Sequence, residues 1–293
     1  MQIVPSGQIL GASVEGLDLA EALSNADFAI VEQALGRHGV LCFPAQTLSS
    51  LALKTFAARF GELEVNVANV YQEPGLPEVM ILSNKRDAQG RPLGLSDAGQ
   101  DWHTDMSYSR MIAFANVLYG LEIPYRNGQP LGNTQFLNMH AAYEDLPADL
   151  KQRLQGMTVT HDFAKFWDNM RRKPGSIRQP LTPAQRQAKP PVSHPIFLTH
   201  PITRRPVLYA NPGYSMRINE LPQHESDEVL AFLFQHQLQD RYLYEHRWKV
   251  GDVLMWDNIG TLHNAVPDYR ADEPRFIKRC QVMATRYFPS GTV

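Results

Sequence analysis

The spacing of apolar positions near the start of the chain predicts helices. Residues 25–39 (NADFAIVEQALGRHG) carry apolar side chains at helical spacing, such as Phe28 and Val31, between an Asn/Asp start and a stop at Gly39. Residues 49–61 (SSLALKTFAARFG) predict a second helix with a serine cap and a glycine stop. We therefore expect a mixed first part of the chain, in which these two helices accompany short strands at GASVEGLDL and VLCF.

Short apolar or alternating runs separated by Gly, Pro and Asn replace this pattern from about residue 76 onward. Runs such as IAFANVLYGLEI, NTQFLNMHAAY and KRCQVMATRY are typical of strands in an all-β sandwich or barrel. Two helical stretches, at about 141–155 and 224–239, interrupt the strands. The fold class predicted is mainly β with flanking α.

A long proline-rich and basic segment at 162–190 has no clear period. A loop of this length inside a compact domain is often a lid over a site, although a solvated surface excursion has the same composition. We expect one domain over 1–293, with a helical N-terminal part at about 1–75, a β core at about 76–293 and a lid-like insertion at 162–190.

Composition narrows the class of protein. The 293 residues have a net charge of −2, which gives no electrostatic reason to expect nucleic acid or an anionic membrane as a partner. No apolar run reaches the ~18 residues of a membrane span, and the N-terminus does not resemble a signal peptide. Cys42 and Cys280 are far apart and predict reduced thiols, which indicates a cytoplasmic protein.

The stretch DWHTDMSYS contains the first candidate chemistry. His103 and Asp105 are two apart, and in a strand such residues point to the same face. The stretch GDVLMWDNIGTLHNAV predicts an apolar strand that rises from a turn at Gly251 and ends near His263. Two histidines and one carboxylate can hold one face of an octahedral metal, as in non-haem Fe(II) oxygenases. The other histidines lack such a pattern and are expected to be surface or structural residues.

Arg275 and Arg279 follow the third candidate ligand in PRFIKRCQVMATRY. Four residues apart, they would share one face of a strand. Two arginines that face a barrel interior are costly unless anions pair with them, and the planar guanidinium suits a carboxylate. The alternative is a pair of surface arginines on an edge strand.

Several blocks in a fixed order identify a family that the chain resembles. LGASVEGLDL, HGVLCFPAQ, FAARFGELE, WHTDMSY, GNTQFLNMHAAYEDLP, HRWKVGDVLMWDN, LHNAV and RFIKR are similar to the taurine dioxygenase / 2,4-dichlorophenoxyacetate dioxygenase family of Fe(II)- and 2-oxoglutarate-dependent oxygenases. The resemblance covers nearly the whole chain. It implies a double-stranded β-helix (jelly roll, cupin-like) with the metal at its open end.

The resemblance also assigns roles to individual residues. His103, Asp105 and His263 match the iron ligands of the family. Thr134 and Arg275 match the threonine and arginine that hold the distal carboxylate of 2-oxoglutarate. Fe(II), 2-oxoglutarate and O2 are the implied cofactor and cosubstrates, and succinate and CO2 the implied products.

The primary substrate is only partly implied. Arg279 matches a second arginine that helps to hold an anionic group of the substrate, with the C1 carboxylate of 2-oxoglutarate as its alternative partner. The chain departs from the taurine branch at Asn66, where that branch has a histidine, and at Gly99, where it has an asparagine. These departures argue against taurine and leave a small sulfonate, carboxylate or phosphonate, with Asn66 and Arg279 as candidate substrate-binding residues.

Two functions from other classes remain open at this point. The same three ligands could hold Zn(II) in a hydrolase or isomerase, although such an enzyme has no need of Thr134 and Arg275. A jelly-roll binding protein without catalysis is the second alternative. The resemblance also implies a homo-oligomer, a dimer or tetramer.

Overall fold

Strands make up most of the regular structure in the computed structural model, which describes residues 1–65, 71–173, 176 and 178–290. The strands are β1 (Gln2–Pro5), β2 (Ala12–Glu15), β3 (Val40–Phe43), β4 (Gln72–Glu73), β5 (Leu76–Ser83), β6 (Ala113–Glu122), β7 (Tyr125–Arg126), β8 (Gln129–Pro130), β9 (Thr134–Asn138), β10 (Thr158–His161), β11 (Val192–Pro195), β12 (Phe197–Thr199), β13 (Pro206–Leu208), β14 (Ser215–Ile218), β15 (Leu243–His246), β16 (Val253–Asp257), β17 (Thr261–Ala265) and β18 (Phe276–Met283).

The helices of the described residues are shorter and lie between the strands. They are α1 (Asn25–His38), α2 (Ser50–Ala58), α3 (Met139–Glu144), α4 (Ala148–Leu154), α5 (Phe163–Arg171), α6 (Pro183–Ala188) and α7 (Gln223–Gln237). None of them is long and apolar enough to cross a membrane.

The two N-terminal helices confirm the predicted pattern. The side chain of Ser24 caps α1 by accepting a hydrogen bond from the amide of Asp27, and Gly39 ends the helix at a φ of 69°, a conformation that glycine adopts without steric cost. Ser49 caps α2 in the same way, but this helix ends at Ala58 with Arg59 as its C-cap, before the predicted stop at Gly61. The cap of α1 is thus the serine before the predicted Asn/Asp start.

Two sheets form the core around the site. The larger has eight strands in the order β1-β2-β3-β16-β6-β18-β5-β4, and the smaller has the order β15-β9-β17. They pack on each other where the ring of Phe136 on β9 meets that of Trp256 on β16, with centroids 5.4 Å apart. The N-terminal strands β1 to β3 belong to the larger sheet. The N-terminal part of the chain therefore contributes both strands to this sheet and helices that lie against it.

Two predicted elements differ in the structure. The single helix predicted at 141–155 is divided into α3 and α4 around Pro147, because proline disfavours the helical conformation of the preceding residue and lacks an amide hydrogen. The segment 162–190, predicted as an irregular loop, contains α5 and α6. Thr182 forms a capping box with Gln185 at the start of α6, a local signal that a search for longer periods overlooks.

Candidate active site

His103 and Asp105 are held by a bridge and a turn rather than by the predicted strand. The backbone of His103 pairs with that of His263 through two hydrogen bonds, 3.2 Å and 2.8 Å long, and residues 105–108 form a turn. The hydroxyl of Thr104 donates to the carbonyl of Asn258. The expectation that the pair shares one strand face was therefore wrong, because a turn begins at Asp105.

His263 also lies differently from the prediction. The stretch predicted as one strand ending near this residue is two strands, β16 in the larger sheet and β17 in the smaller, with His263 at the middle of β17. The turn between them begins at Asp257, whose carboxylate accepts hydrogen bonds from the amides of Ile259 and Gly260. This crossing from one sheet to the other brings His263 to His103.

The three predicted ligand side chains converge. Nε2 of His103 lies 3.4 Å from Oδ1 of Asp105, and Nε2 of His263 lies 4.0 Å from Oδ2. One ligand atom from each residue lies within 4.8 Å of the other two. Nδ1 of His103 lies 2.7 Å from the carbonyl oxygen of Asp101, which can only accept, so Nδ1 carries the proton and Nε2 presents a lone pair. A lone pair and a carboxylate that face each other fit a shared cation.

The electrostatics of the cluster favour a charged carboxylate beside neutral rings. Burial acts to raise the pKa of Asp105, but contacts with His103 and His263 and the charge of Arg279 hold it well below its ordinary value. Burial, together with the neighbouring His103, lowers the pKa of His263 to about 3. Deprotonated imidazole and carboxylate are the forms that bind metals.

The second oxygen of Asp105 is surrounded by amide groups. Oδ2 accepts a hydrogen bond of 2.8 Å from Nδ2 of Asn116 and another of 2.8 Å from Nε2 of Gln281. Asn116 lies on β6 and Gln281 on β18, neighbouring strands of the larger sheet. The sheet therefore fixes the position of the carboxylate.

Arg279 approaches this cluster from β18. Its Nη1 lies 3.6 Å from Oδ2 of Asp105, and its Nη2 contacts the thioether of Met80 at 3.4 Å. Within the described part of the chain, its buried Nε has no hydrogen-bond partner. The guanidinium therefore retains donors for an additional acceptor beside the three candidate ligands.

Arg275 precedes β18 and is buried, with 7% of its surface exposed. Its Nη2 donates to the carbonyl of Gly132 at 3.2 Å, while Nε has no partner among the described residues. A Cβ at position 132 would lie 2.6 Å from this Nε, so only glycine lets the guanidinium approach. Burial lowers the pKa of Arg275, and an anion at this position would offset the cost of the buried charge.

Thr134 begins β9, two residues after Gly132, and is also buried. Its hydroxyl oxygen accepts a hydrogen bond of 3.0 Å from the indole of Trp248. Because the indole can only donate, the hydroxyl proton of Thr134 remains available for another acceptor. The two residues predicted to hold 2-oxoglutarate thus flank the same glycine and both have donors to offer.

Aromatic rings pack against His103. The ring centroid of Phe166 on α5 lies 4.8 Å from that of His103, and Tyr214 packs at 6.0 Å from His103. Tyr108 contacts Tyr214 at 4.7 Å. The predicted lid therefore reaches the candidate metal site through α5. The remaining predicted substrate residue, Asn66, lies outside the described residues.

A second buried cluster contains the same residue types, namely His140, His200 and Asp257, with ligand atoms within 4.8 Å of one another. Nδ1 of His140 lies 2.9 Å from the carbonyl of Pro206 and therefore carries the proton, which leaves a lone pair on Nε2. That atom is buried without a hydrogen-bond partner in the described part of the chain. Burial lowers the pKa of His140 to about 4.

The other histidine of this second cluster has the opposite arrangement. Nδ1 of His200 accepts hydrogen bonds from the amides of Ile202 and Thr203, at 3.3 Å and 3.1 Å. Its proton must therefore be on Nε2, which lies 2.9 Å from Oδ2 of Asp257. A protonated Nε2 cannot bind a metal, so this cluster supports the structure rather than holding an ion.

A third cluster consists of Cys42, His246 and Asp252. Burial, followed by the charge of Asp252, raises the pKa of the Cys42 thiol, so the sulfur is not the thiolate that metals prefer. Nε2 of His246 lies 3.1 Å from Oδ2 of Asp252 and donates its proton there. This group also lacks the free lone pairs of the first cluster.

Six residues around the site were not identified from the sequence: Asn116, Gln281, Trp248 and the aromatic residues Tyr108, Phe166 and Tyr214. Two of them carry a signal in the pattern. Asn116 is a polar residue within the apolar run IAFANVLYGL, and Gln281 is two residues after Arg279, on the same face of one strand. Trp248 lies before β16, and its contact with Thr134 depends on tertiary structure.

Comparison with known proteins agrees with this geometry. The model of the taurine catabolism dioxygenase TauD, TfdA family matches residues 2–281. The chain is 34% identical over 270 residues to an alpha-ketoglutarate-dependent 2,4-dichlorophenoxyacetate dioxygenase of Cupriavidus pinatubonensis, covering 88% of this chain and 90% of the relative. It is 33% identical over 271 residues to pentalenolactone F synthase of Streptomyces avermitilis, covering 88% and 86%.

Solved structures show the same similarity. A taurine dioxygenase from Burkholderia xenovorans superimposes with a TM-score of 0.76 at 27% identity, over 96% of this chain and 89% of the other. AAD-2, solved with Mn(II) and N-oxalylglycine, gives a TM-score of 0.78 at 25% identity, over 96% of both chains.

Proposed function

The chain belongs to the taurine catabolism dioxygenase TauD, TfdA family, and from this membership we propose that His103, Asp105 and His263 hold its Fe(II). It is a 2-oxoglutarate-dependent dioxygenase. The convergence of the three side chains carries the assignment of the site, since the set contains two imidazole nitrogens and a carboxylate. When bound, iron supplies the redox chemistry that couples decarboxylation of 2-oxoglutarate to hydroxylation of a substrate by O2.

Arg275 and Thr134 bind the distal carboxylate of 2-oxoglutarate in this proposal. The buried guanidinium has a free Nε, and the threonine hydroxyl has a free proton because Trp248 donates to its oxygen. Charge-assisted hydrogen bonds of this kind are roughly twice as strong as neutral ones. Their contribution is to orient the cosubstrate, with its 2-oxo acid end toward the histidines.

Arg279 holds an anionic group of the primary substrate beside the metal site. Its unpartnered Nε and its 3.6 Å distance from Asp105 leave donors for a small organic anion. Phe166, Tyr108 and Tyr214 form an aromatic wall against His103, which suits an apolar body on the substrate and excludes water from the reacting atoms. Relatives named for phenoxyacetate and alkylsulfate chemistry support a carboxylate or an oxidised sulfur group.

The fold and the domain organisation are also part of this proposal. The two packed sheets support a double-stranded β-helix of the jelly-roll type in one domain over 1–293, with α5 and α6 as the lid. A homo-oligomer and a cytoplasmic location remain predictions.

Succinate release tests the proposed substrate class. The protein is incubated with Fe(II), 2-oxoglutarate, ascorbate and a panel of small carboxylates, sulfonates, sulfate esters and phosphonates, each with an uncharged amide or alcohol as its matched control. We expect at least one anion with an apolar body to stimulate succinate release, and its uncharged counterpart to have no effect. Equal stimulation by both members of every pair would contradict the role of Arg279.

Arg275→Ala tests the cosubstrate site. We expect the KM for 2-oxoglutarate to rise about 30-fold or more, since losing one partner of a buried charge pair costs about 2 kcal/mol or more. Arg126→Ala is the matched control, because Arg126 pairs with Glu273 near the surface, and its KM should equal that of the wild type. An unchanged KM for Arg275→Ala would contradict the assignment.

A further inference from the structure

The geometry points to Asn116 and Gln281 as positioning residues for the metal ligand Asp105. We infer that their two amides hold Oδ2 of Asp105, so that the carboxylate offers only Oδ1 to the metal. The inference rests on the proposed metal site and adds a role for two residues to it.

The hydrogen bonds around Asp105 define this amide clamp, by which we mean Asn116 and Gln281 together. Both donate to the same oxygen, Oδ2, at 2.8 Å, and Nη1 of Arg279 lies 3.6 Å from it. Oδ1 instead faces Nε2 of His103 at 3.4 Å, while Nε2 of His263 lies 4.0 Å from Oδ2. An oxygen that accepts two amide protons has its lone-pair directions occupied, whereas Oδ1 is directed toward the histidine.

The amides are themselves held rigidly. Asn116 is fully buried and Gln281 is 6% exposed. The second proton of the Asn116 amide is directed at Oδ1 of Asn258, 3.2 Å away, and that oxygen also accepts from the indole of Trp256 at 3.0 Å. Nε2 of Gln281 lies 3.4 Å from Oδ1 of Asn116. Neither amide can rotate without losing a buried hydrogen bond.

The strands explain why the clamp is precise in position. Gln281 and Asn116 are paired residues in the register of β18 and β6, in the middle of the larger sheet. Asp105, in contrast, is on a turn and has no strand of its own to fix it. The rigid sheet therefore supplies the orientation that the turn lacks, which is how outer hydrogen bonds usually tune a metal ligand.

The clamp also keeps Arg279 available. Because the amides occupy Oδ2, the guanidinium remains 3.6 Å away rather than forming a close ion pair with Asp105. Loss of a clamp amide would leave Oδ2 free either to join Oδ1 on the metal or to bind Arg279. Either change alters the ligand field of a bound ion, which loss of packing alone would not do.

The experiment measures Co(II) binding and the visible d–d spectrum of the metal-loaded full-length protein. Gln281→Met removes the amide and keeps a side chain of similar length. We expect the Kd for Co(II) to rise about 10- to 100-fold, as is usual when an outer hydrogen bond to a ligand is lost, and the d–d bands to shift. Asn116→Ser provides a second variant at the other half of the clamp, should Gln281→Met fail to fold.

Two controls separate the possible outcomes. Gln237 is a fully buried amide that donates to the carbonyl of Ala210, so Gln237→Met removes a comparable hydrogen bond away from the site and should leave Kd and spectrum unchanged. His103→Ala tests the metal site itself. If it binds Co(II) like the wild type, the proposed site is wrong. If it loses Co(II) while both clamp variants keep the wild-type Kd and spectrum, the clamp is wrong and the site stands.

Discussion

The first and second histidine clusters have the same composition but opposite proton arrangements. His103, Asp105 and His263 form one, and His140, His200 and Asp257 form the other. Both are buried except for the half-buried Asp105, and in each the three ligand atoms lie within 4.8 Å of one another. Residue type and distance therefore do not separate them.

The backbone groups around the rings do separate them. His103 donates from Nδ1 to a carbonyl, so its Nε2 lone pair faces the carboxylate. His200 accepts at Nδ1 from two amides, so its Nε2 already brings a proton to Asp257. The first arrangement lacks a donor proton between the histidine and the carboxylate, whereas the second contains one. A metal site is thus defined by which atoms carry protons as much as by which residues meet.

Replacing the carboxylate of each cluster by alanine gives the largest expected difference between the two clusters. We expect Asp105→Ala to abolish Fe(II)-dependent turnover of 2-oxoglutarate and to weaken Co(II) binding by more than about 100-fold, the upper range for loss of an outer contact. Asp257→Ala should retain binding of Co(II). It should lower the free energy of unfolding by about 3 kcal/mol, since buried donors lose their acceptor. Titration with Co(II) and urea unfolding of both variants measure the contrast, and turnover by Asp105→Ala would overturn it.

The pH dependence of stability distinguishes the clusters next. The pKa of His140 is about 4 in the folded protein because of burial and about 6.5 in the unfolded chain. Below pH 6.5 the unfolded state therefore binds a proton that the folded state does not, so stability falls as the pH falls toward 4. At roughly 1.4 kcal/mol per unit of pKa, we expect a loss of about 2 kcal/mol between pH 6.5 and 4.5.

Urea unfolding of His140→Gln checks this expectation. The variant should lose less stability than the wild type over the same range of pH, because glutamine does not titrate. Parallel curves for the two proteins would show that His140 is charged, or already exposed, in the folded state.

The third cluster gives the smallest expected effect. Cys42 is half-buried, and its raised thiol pKa makes it a poor ligand. We expect Cys42→Ser to change the free energy of unfolding by about 0.5 to 1 kcal/mol and to leave the number of Co(II) ions bound per chain unchanged. A loss of one bound ion would show that this cluster holds a metal as well.

Most of the candidate site residues can be predicted from the sequence, but the backbone arrangement that brings them together cannot. His103, Asp105 and His263 are recognisable from the motif blocks, and the structure brings them together. The strand predicted for the first two is a turn, because the bridge between His103 and His263 replaces a regular ladder. A single bridge of this kind leaves no periodic pattern of apolar side chains in the sequence. The roles of these residues, and those of Thr134 and Arg275, remain proposals.

Local signals succeeded where a helix or cap is determined by neighbouring residues. Ser24 and Gly39 bound α1 as their types predict. Prediction failed where the decisive partner is distant in the chain. Gln281 meets Asp105 across 176 residues, and Trp248 meets Thr134 across 114. The proton on His200 likewise depends on the path of its own loop, which no spacing of histidines reveals.

Three side chains from one short segment are proposed to have separate roles: Arg275 binds the cosubstrate, Arg279 binds the substrate and Gln281 positions the metal ligand. The three are separated by even numbers of residues, so in an extended chain they point to the same face. Arg275 directly precedes β18 and the other two lie on it, and β18 is hydrogen-bonded to β6 and β5 on its two sides. An insertion or deletion of one residue there would turn the side chains on one side of the change away from their partners, whereas α5 and α6 contribute no strand to the larger sheet. Descendants of this protein are therefore expected to diversify by changing the length of the segment that contains α5 and α6, while the length of the segment from Arg275 to Gln281 stays constant.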